Sequence, residues 1–477
     1  MSHYYDVIVL GPELPGLLAG GLLARRGFRV LLARDPGDPA DTYQANGHTF
    51  SRLPLPLLGL DGPAWRRILG ELNLTQSLRR RLVAQRPAYQ VLLPDHRLDG
   101  DPDRALTEIE RELPAAREPL EAFFGRAEAL ARVLEPLLSQ DVTLPPDGFW
   151  ERRELGRIRP HLPAPSEDLL PGLGAATPGR AVAELPAQLS SDLYPPGPVA
   201  SLRLCELWRR GAFRLPGGRD VLRKLLDERV QTHSGEVTQV VVSELSVKRG
   251  RVVGVVTQPR GEVLGCGFVV ASMPTARLVA LLGEQAPRRL SATAQAMPPK
   301  AWRFVHNLVL AAEGVPEGLA EHAFIAADLA RPPEEENALA LHVGEAAQAG
   351  RASLQVVALA RSTDPAYLAL LGARVRARLS DALLPFLERH LVCVDSPHEG
   401  VGAPPMEPVY ESTEPGPLGV GVTPLVTGIK GLYVVGRQTL PGLALEGELV
   451  SAWGVARMIS LAEKKRDPLK RDVLLSG

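Results

Sequence analysis

The N-terminal sequence predicts a strand, a tight turn, a helix and a second strand in immediate succession. Residues 7–10 form an apolar run of β-forming residues, which suits a strand buried on both faces. Gly11 begins the turn, and the helix that follows ends near Arg26, with Gly27 in the position typical of a helix C-terminus. Residues 29–33 supply the next strand. A βαβ unit of this kind opens a dinucleotide-binding fold, so we predict an α/β protein with a Rossmann-like domain.

Length and charge narrow the classes of protein that the sequence can encode. At 477 residues the chain is long enough for about three domains, or for two if one is discontinuous. The formal net charge of -1 offers no basic surplus for nucleic acid. No apolar stretch reaches the ~20 residues that a membrane span needs, so at most a peripheral contact with a membrane surface is expected.

Cysteine and histidine usage argues against disulfides and metal sites. Cys205, Cys266 and Cys393 are odd in number, far apart and match no metal-binding spacing. We therefore predict free, mostly buried thiols in a reducing, cytoplasmic compartment. The ten histidines form no recognisable metal motif, so no metal ligand is assigned.

The rest of the chain alternates helical and strand-rich regions. Residues 60–200 have mostly helical periodicity, and residues 236–272 contain three strand-like runs with glycines at plausible hairpin turns. Asp364 begins a further helix, whose leucine stripe up to Leu387 favours a buried core face over a membrane-docking face. A last strand and helix are predicted over about 432–462.

Four later segments continue the pattern of the N-terminal unit. They are PAYQVLLPDHRL at 87–98, LPGGRDVLRKLL at 215–226, GRVVGVVTQPRGEVLGCGFVVASMP at 250–274 and GLYVVGRQTLPG at 431–442. With the βαβ unit they make five segments, in an order that resembles the phytoene desaturase and amine-oxidase branch of FAD-dependent oxidoreductases. The resemblance covers nearly the whole chain. It is more specific for the fold than for the reaction, because one fold hosts many functions.

The resemblance implies two domains and a cofactor. A discontinuous FAD-type domain would comprise residues 1–75, 205–290 and 415–465. A substrate domain of mixed β-sheet and helices would comprise residues 76–204 and 291–414, with a C-terminal tail over 466–477. Members of the family bind FAD, and the flavin accepts a hydride from a hydrophobic small molecule or an amine. The resemblance thus implies an oxidoreductase similar to phytoene desaturases, and no catalytic residue is assigned.

The dinucleotide fingerprint G-x-G-x-x-G is only partly present. Gly11 and Gly16 fill the first and third positions, whereas Glu13 fills the second. The second glycine normally lets the backbone approach the diphosphate, so Glu13 places an anion against an anion. At ~5 Å and an effective dielectric constant of about 20, such a pair repels by about 3 kcal/mol. The acid expected at the end of the second strand is replaced by Arg34, with Asp35 one residue later.

The closing segment also departs from the family at one position. Gly436, Thr439, Pro441 and Gly442 match, but Arg437 stands where several branches have an acid. The residues that the resemblance assigns to the cofactor are Gly11, Glu13, Gly16, Arg34, Asp35, Val242, Gly436, Arg437, Thr439 and Gly442.

Three interpretations of these departures are open. In the first, FAD still binds, with Glu13 displaced and Arg34 or Asp35 adapted to it. In the second, Glu13 lies at the positive N-terminus of the helix, pairs with Arg34 and fills the ADP pocket. The chain would then be a cofactor-free relative that binds a protein or a lipid, as Rab GDP-dissociation inhibitors do on a related scaffold. In the third, Arg34 contacts the 2′-phosphate of NADP, although Glu13 opposes this too.

Overall fold

A computed structural model describes residues 4–11, 13–345, 348–400, 403–412, 416 and 418–463. Within these residues the strands are β1 (Tyr4–Leu10), β2 (Val30–Arg34), β3 (Thr42–Ala45), β4 (His48–Ser51), β5 (Leu57–Leu58), β6 (Val83–Ala84), β7 (Tyr89–Leu93), β8 (His96–Gly100), β9 (Ala212–Arg214), β10 (Glu236–Gln239), β11 (Val241–Lys248), β12 (Arg251–Gln258), β13 (Val263–Ser272), β14 (Pro299–Ala311), β15 (His322–Ala326), β16 (Ala338–Glu345), β17 (Arg351–Ala360), β18 (Leu391–Asp395), β19 (Glu407–Tyr410) and β20 (Leu432–Val435). The α-helices are α1 (Leu14–Arg25), α2 (Pro63–Glu71), α3 (Thr75–Arg79), α4 (Ala105–Glu112), α5 (Arg117–Ser139), α6 (Phe149–Ile158), α7 (Pro178–Ser190), α8 (Pro198–Arg209), α9 (Gly218–Thr232), α10 (Thr275–Leu282), α11 (Arg288–Ala296), α12 (Pro365–Ala382), α13 (Leu387–His390) and α14 (Ala444–Ala462).

The first large sheet is built around the N-terminal βαβ unit. Its strands follow the order β10, β2, β1, β13, β12 and β11, and β20 also pairs with β13. β10, β2, β1, β13 and β20 are parallel, whereas β11 and β12 are an antiparallel hairpin beside β13. The helix α1 crosses between β1 and β2 and contacts α9 and α14. Because α1 is apolar on all sides, it is buried along its length from Leu14 to Ala24. The fold class is α/β with a Rossmann-like sheet, as predicted.

The second large sheet is mixed and mostly antiparallel. Its order is β18, β14, β17, β16, β15, β7 and β8, with β19 paired to β14, and the β15–β7 pair is parallel. The helix α12 covers one face of this sheet through its leucine stripe, which belongs to the same buried cluster as Phe304 and Leu339. Asp364 caps α12 by accepting a hydrogen bond from the Tyr367 N–H at 2.9 Å. The stripe is therefore core, and the alternative of a membrane-docking face at this helix is wrong.

Several local predictions are confirmed, and the number of strands in one block differs. Cys205, Cys266 and Cys393 are buried free thiols. The strand-rich block contains four strands, because the chain leaves β2 at Val240 and continues along β12. The last helix, Ala444–Ala462, lies within the region predicted for the last strand and helix. The proposed tail over 466–477 lies outside the described residues. No described helix is long and apolar enough to cross a membrane.

Candidate functional site

The turn between β1 and α1 packs against the end of β13. Gly11 has a φ of +100°, and a Cβ at this position would clash with the carbonyl oxygen of Ser272. A Cβ on Gly16 would clash with the side chain of Ser272, whose Oγ accepts a hydrogen bond from the Gly16 N–H at 2.9 Å. Glycine is therefore required for the turn at Gly11 and for helix–strand packing at Gly16. These contacts are the ones that the first and third glycines of the fingerprint allow.

Glu13 points its carboxyl group from the start of α1 toward the closing segment. Glu13 precedes α1 with extended backbone angles and makes no side-chain cap. A Cβ on Gly436 would lie 2.5 Å from Glu13 Oε2, so the carboxyl group fills the space beside this glycine. Although the residue as a whole is partly exposed, Oε2 is buried and has no hydrogen-bond partner among the described residues. Burial raises the pKa of Glu13 to about 8, and nearby Arg437 opposes this change.

Arg437 is the centre of a buried ionic cluster. Its guanidinium forms ion pairs with Asp192 at 3.5 Å, with Glu407, and with Glu448 at 3.7 Å. Only 9% of the Arg437 side chain is exposed. Burial lowers the pKa of Arg437, but the carboxylates of Glu407, Asp192 and Glu448 outweigh this and raise it overall. The arginine therefore stays charged and compensates several buried acids at once.

Two more arginines border the cluster. Arg303 pairs with Asp192 at 2.9 Å and donates hydrogen bonds to the carbonyl oxygens of residues 189–191. Arg219 acts on Glu448: burial raises the pKa of Glu448 to about 7, while Arg437 and Arg219 both oppose the rise. The Nε atom of Arg219 is buried and has no hydrogen-bond partner among the described residues. Arg219 is thus a cation with at least one hydrogen-bond donor that no described residue uses.

The sequence prediction identified Glu13 and Arg437 but missed the acids around them. Asp192 follows α7, Glu407 begins β19 and Glu448 lies in α14, so no local spacing connects the three. The one sequence signal is a charged residue in apolar surroundings, as for Glu448 in the segment LEGELVSAW. Such residues are rarely buried unless they are paired, which makes them candidates for a buried cluster.

The end of β2 has different ion pairs from those predicted. Arg34 pairs with Asp227 of α9, not with Glu13, and no Glu13–Arg34 ion pair occurs among the described residues. The predicted Glu13–Arg34 salt bridge is therefore wrong, because a closer acid from α9 takes the guanidinium. Asp35 pairs with Arg277 at 3.0 Å. Arg34 and Asp35, the two residues at the strand end where the fingerprint expects an acid, are thus both held in ion pairs.

Apart from Arg437, the assigned residues of the closing segment contribute packing. Gly436 has a φ of +144°, a backbone conformation that side-chain-bearing residues rarely adopt. A Cβ on Gly442 would lie 2.8 Å from the backbone oxygen of Val420, so this glycine allows a close approach of two segments. Thr439 is fully buried, and its Oγ1 has no hydrogen-bond partner among the described residues. Val242 lies in β11, is partly buried and packs against a core cluster of the first sheet. Val242 does not border either of the two cavities next to the Arg437 cluster.

Those two cavities adjoin each other and share part of their walls. The first has a volume of about 290 Å³ and runs from the start of α1 past Glu13 to Arg437. The second has a volume of about 110 Å³ and is mostly apolar, with walls from the segment 53–59, α8 and the second sheet. The residues common to both cavities are Leu53, Arg219, Arg303, Arg437 and Glu448. The ionic cluster therefore lies at the boundary between the two cavities.

We expect the contribution that Glu13 and Glu448 make to the free energy of unfolding to fall as the pH rises from about 5 to about 8. The pKa values of Glu13 and Glu448 are raised from 4.5 to about 8 and about 7. Each group therefore stabilises the fold fully below pH ~4.5, and this contribution is lost as the pH rises through the folded pKa. The slope is at most about 1.4 kcal/mol per pH unit for each group.

Urea unfolding at several pH values measures this dependence. The free energy of unfolding of the wild type, minus that of the Glu13→Gln and Glu448→Gln double variant, should fall over this range, whereas the difference for Glu262→Gln, at an exposed side chain, should stay constant. A difference between the wild type and the double variant that stays constant or rises with pH would contradict the assignment.

Comparison with solved structures supports the fold over almost the whole chain. An engineered putrescine oxidase has 15% sequence identity and a TM-score of 0.62, and the alignment covers 97% of this chain and all of that one. An oxidoreductase from Methanosarcina mazei has 15% identity and a TM-score of 0.58, with 94% and 99% of the two chains covered. A Rab GDI from Plasmodium falciparum has 12% identity and a TM-score of 0.54, with 95% and 98% covered.

The sequence itself gives no closer relationship. No protein-family model matches the chain. No curated protein matches it significantly. At these levels of identity the likeness shows the shared fold alone, and the fold occurs both in oxidoreductases and in a Rab GDI.

The described residues do not fit FAD in the position that the fingerprint implies. The diphosphate would approach the second glycine position, where the buried Oε2 of Glu13 lies beside Gly436. The ribose would approach the end of β2, where Arg34 pairs with Asp227. A diphosphate needs free space and positive charge at the turn, whereas the Glu13 side chain fills the space beside Gly436 and carries no positive charge. The fold keeps the glycines of the turn but not the anion site.

Proposed function

We propose that this chain is a cofactor-independent binding protein for a slender hydrophobic small molecule, built on the flavin oxidoreductase fold. The observation that carries the proposal is the buried carboxyl group of Glu13 between α1 and Gly436. In this proposal the carboxyl group occupies the position of a diphosphate. It lies near Arg437, whose charge is already compensated by the acids of the cluster. The Rab GDI among the structural neighbours supports the proposal, because it shows that the fold is not confined to oxidoreductases.

The second cavity supports a hydrophobic small molecule as the ligand. Its walls include Trp65, Leu204, Trp208 and Phe324, side chains that offer apolar contact to a ligand. A volume of about 110 Å³ is small beside typical ligand sites of about 300–1,000 Å³, so a narrow hydrocarbon segment suits it better than a fused ring system. The first cavity adds room next to it.

Arg219 is the residue that we assign to the polar end of the ligand. It borders both cavities, and its Nε atom lacks a partner among the described residues. Arg303 and Arg437 line the same boundary, but ion pairs with acids already occupy them. An amphipathic ligand would therefore place its carboxylate at Arg219 and its hydrocarbon chain in the second cavity.

Binding of hexanoate, a short linear carboxylate, tests this assignment by isothermal titration calorimetry. Arg219→Gln is expected to weaken binding about tenfold, since it removes one charge-assisted hydrogen-bonding group. Arg229→Gln is the matched control, because Arg229 lies on the same helix but outside both cavities. No binding by the wild type, or equal affinities for the wild type and Arg219→Gln, would argue against the assignment.

A second candidate is a flavin-dependent oxidoreductase that acts on a hydrophobic small molecule, similar to phytoene desaturases. Two observations favour it. Gly11, Gly16 and Gly436 keep the glycine positions of the family pattern. The pKa of Glu13, raised to about 8 by burial, leaves its carboxyl group mostly neutral at pH 7, which removes most of the charge repulsion against a diphosphate. Retention of FAD by the purified protein distinguishes the two candidates.

A further inference from the structure

The start of α6 presents two adjacent aromatic side chains to solvent. Phe149 is 72% exposed and Trp150 is 66% exposed. Their rings contact each other edge to face, with centroids 5.6 Å apart. Burial of these two large apolar side chains against a binding partner would be favourable, because it removes apolar surface from water.

Exposed arginines surround this aromatic pair. The guanidinium of Arg153 lies 5.5 Å from the centroid of the Trp150 ring. Exposed arginine side chains continue along the helix and just beyond it, at Arg152, Arg157 and Arg159. The surface next to the aromatic pair is therefore basic.

The acidic residues of α6 do not cancel this charge at the aromatic end. Glu154 pairs with Arg157 at 2.6 Å. Glu151 is less exposed and pairs with Arg457 of α14 at 3.3 Å. Both acids of the helix are paired, and Arg152 and Arg153 outnumber the exposed Asp147 just before it, so the charge beside the two aromatic rings is net positive.

The opposite face of α6 anchors the helix to the protein. Leu155 is buried, and Ile158 packs against the main core cluster. Phe149 and Arg153 are four residues apart, so they lie on one side of the helix. The aromatic and basic side chains thus form one outward face, which we call the α6 face: Phe149, Trp150, Arg152 and Arg153.

We propose that the α6 face binds the surface of a membrane that contains anionic lipids. Aromatic side chains of this kind favour the level of the lipid headgroups, where an apolar body and a polar edge are both accommodated. Arginines next to them are attracted to anionic headgroups. Charge complementarity favours this partner over a second copy of the chain, since two α6 faces would place like charges together. The contact does not depend on what the interior cavities bind.

Flotation of the full-length protein with lipid vesicles tests the proposal. The protein is expected to float with vesicles of phosphatidylcholine containing about one third phosphatidylserine, and to float much less with phosphatidylcholine alone. Raising the salt concentration should weaken the binding, because ions screen the exposed arginines. The double substitution Phe149→Ala and Trp150→Ala should reduce the bound fraction about tenfold or more.

Phe386→Ala is the matched control, since Phe386 is an equally solvated aromatic residue elsewhere, 66% exposed. This variant should float like the wild type. Thermal unfolding of the double variant checks that its fold is intact, and Arg152→Glu with Arg153→Glu provides a second route to the same loss. Absence of wild-type flotation, or flotation that both double variants retain, overturns the proposal. So does a dimer in lipid-free solution that the Phe149→Ala and Trp150→Ala variant abolishes.

Discussion

Replacing Arg437 with methionine is expected to lower the free energy of unfolding by about 3–5 kcal/mol, the range found when one partner of a buried ion pair is removed. Methionine keeps much of the length of the side chain but none of its charge. Asp192, Glu407 and Glu448 would then lose a shared cation, and the exposed fractions of the Asp192 and Glu448 side chains are only 3% and 4%. Urea unfolding followed by circular dichroism measures the change.

Arg260→Met is the matched control for this substitution. Arg260 is 81% exposed and lies 3.8 Å from Glu262, so its removal should change stability by no more than about 0.5 kcal/mol. Adding Glu407→Gln to Arg437→Met should recover part of the loss, because one uncompensated carboxylate disappears. A loss below about 1 kcal/mol for Arg437→Met would mean that the acids of the cluster are already neutral without it.

The sequence could predict the local features of this fold but not the ion pairs of the cluster around Arg437. The turn at Gly11, the helix α1 and the N-cap at Asp364 depend on neighbouring residues, and the structure contains all of them. The leucine stripe of α12 is likewise local, and its periodicity correctly favoured the core. Helix and strand patterns repeat over short distances, so they can be read without knowledge of the tertiary fold.

The ion pairs of the site, in contrast, depend on the folded arrangement. Arg34 finds Asp227, which is 193 residues away, because α9 packs beside the first sheet. Arg437 meets Asp192, 245 residues away. Nothing in the spacing of these charges identifies the partner, so the second interpretation pairs Arg34 with Glu13 from their charges and their positions in the fingerprint. The sequence identifies Glu13 as an unusual residue, but the residues around it are visible only in the structure.

The substitution Glu13→Gly is expected to increase FAD affinity more than any other single change. It removes both the buried carboxyl group and the side chain that lies beside Gly436. At a pH above about 8, where the carboxyl group is ionised, repulsion of about 3 kcal/mol would disappear, which corresponds to a gain of more than about a hundredfold. At pH 7 the gain should be smaller, since burial keeps Glu13 mostly neutral there. Stability should not suffer through Arg34, because that arginine pairs with Asp227.

An absorbance spectrum after incubation with FAD and desalting measures the retained flavin. The wild type is expected to retain little flavin, and Glu13→Gly should retain more, with the larger difference at high pH. Glu13→Gln distinguishes the effect of charge from that of side-chain size, because it removes the ionisable group but keeps the size of the side chain. If side-chain size excludes FAD, this variant should still retain little flavin. Flavin bands that stay with the wild type would instead support the oxidoreductase. If all three proteins stay colourless, the ion pairs at the end of β2 are sufficient to exclude the cofactor, because Arg34 and Asp35 would still be held by Asp227 and Arg277.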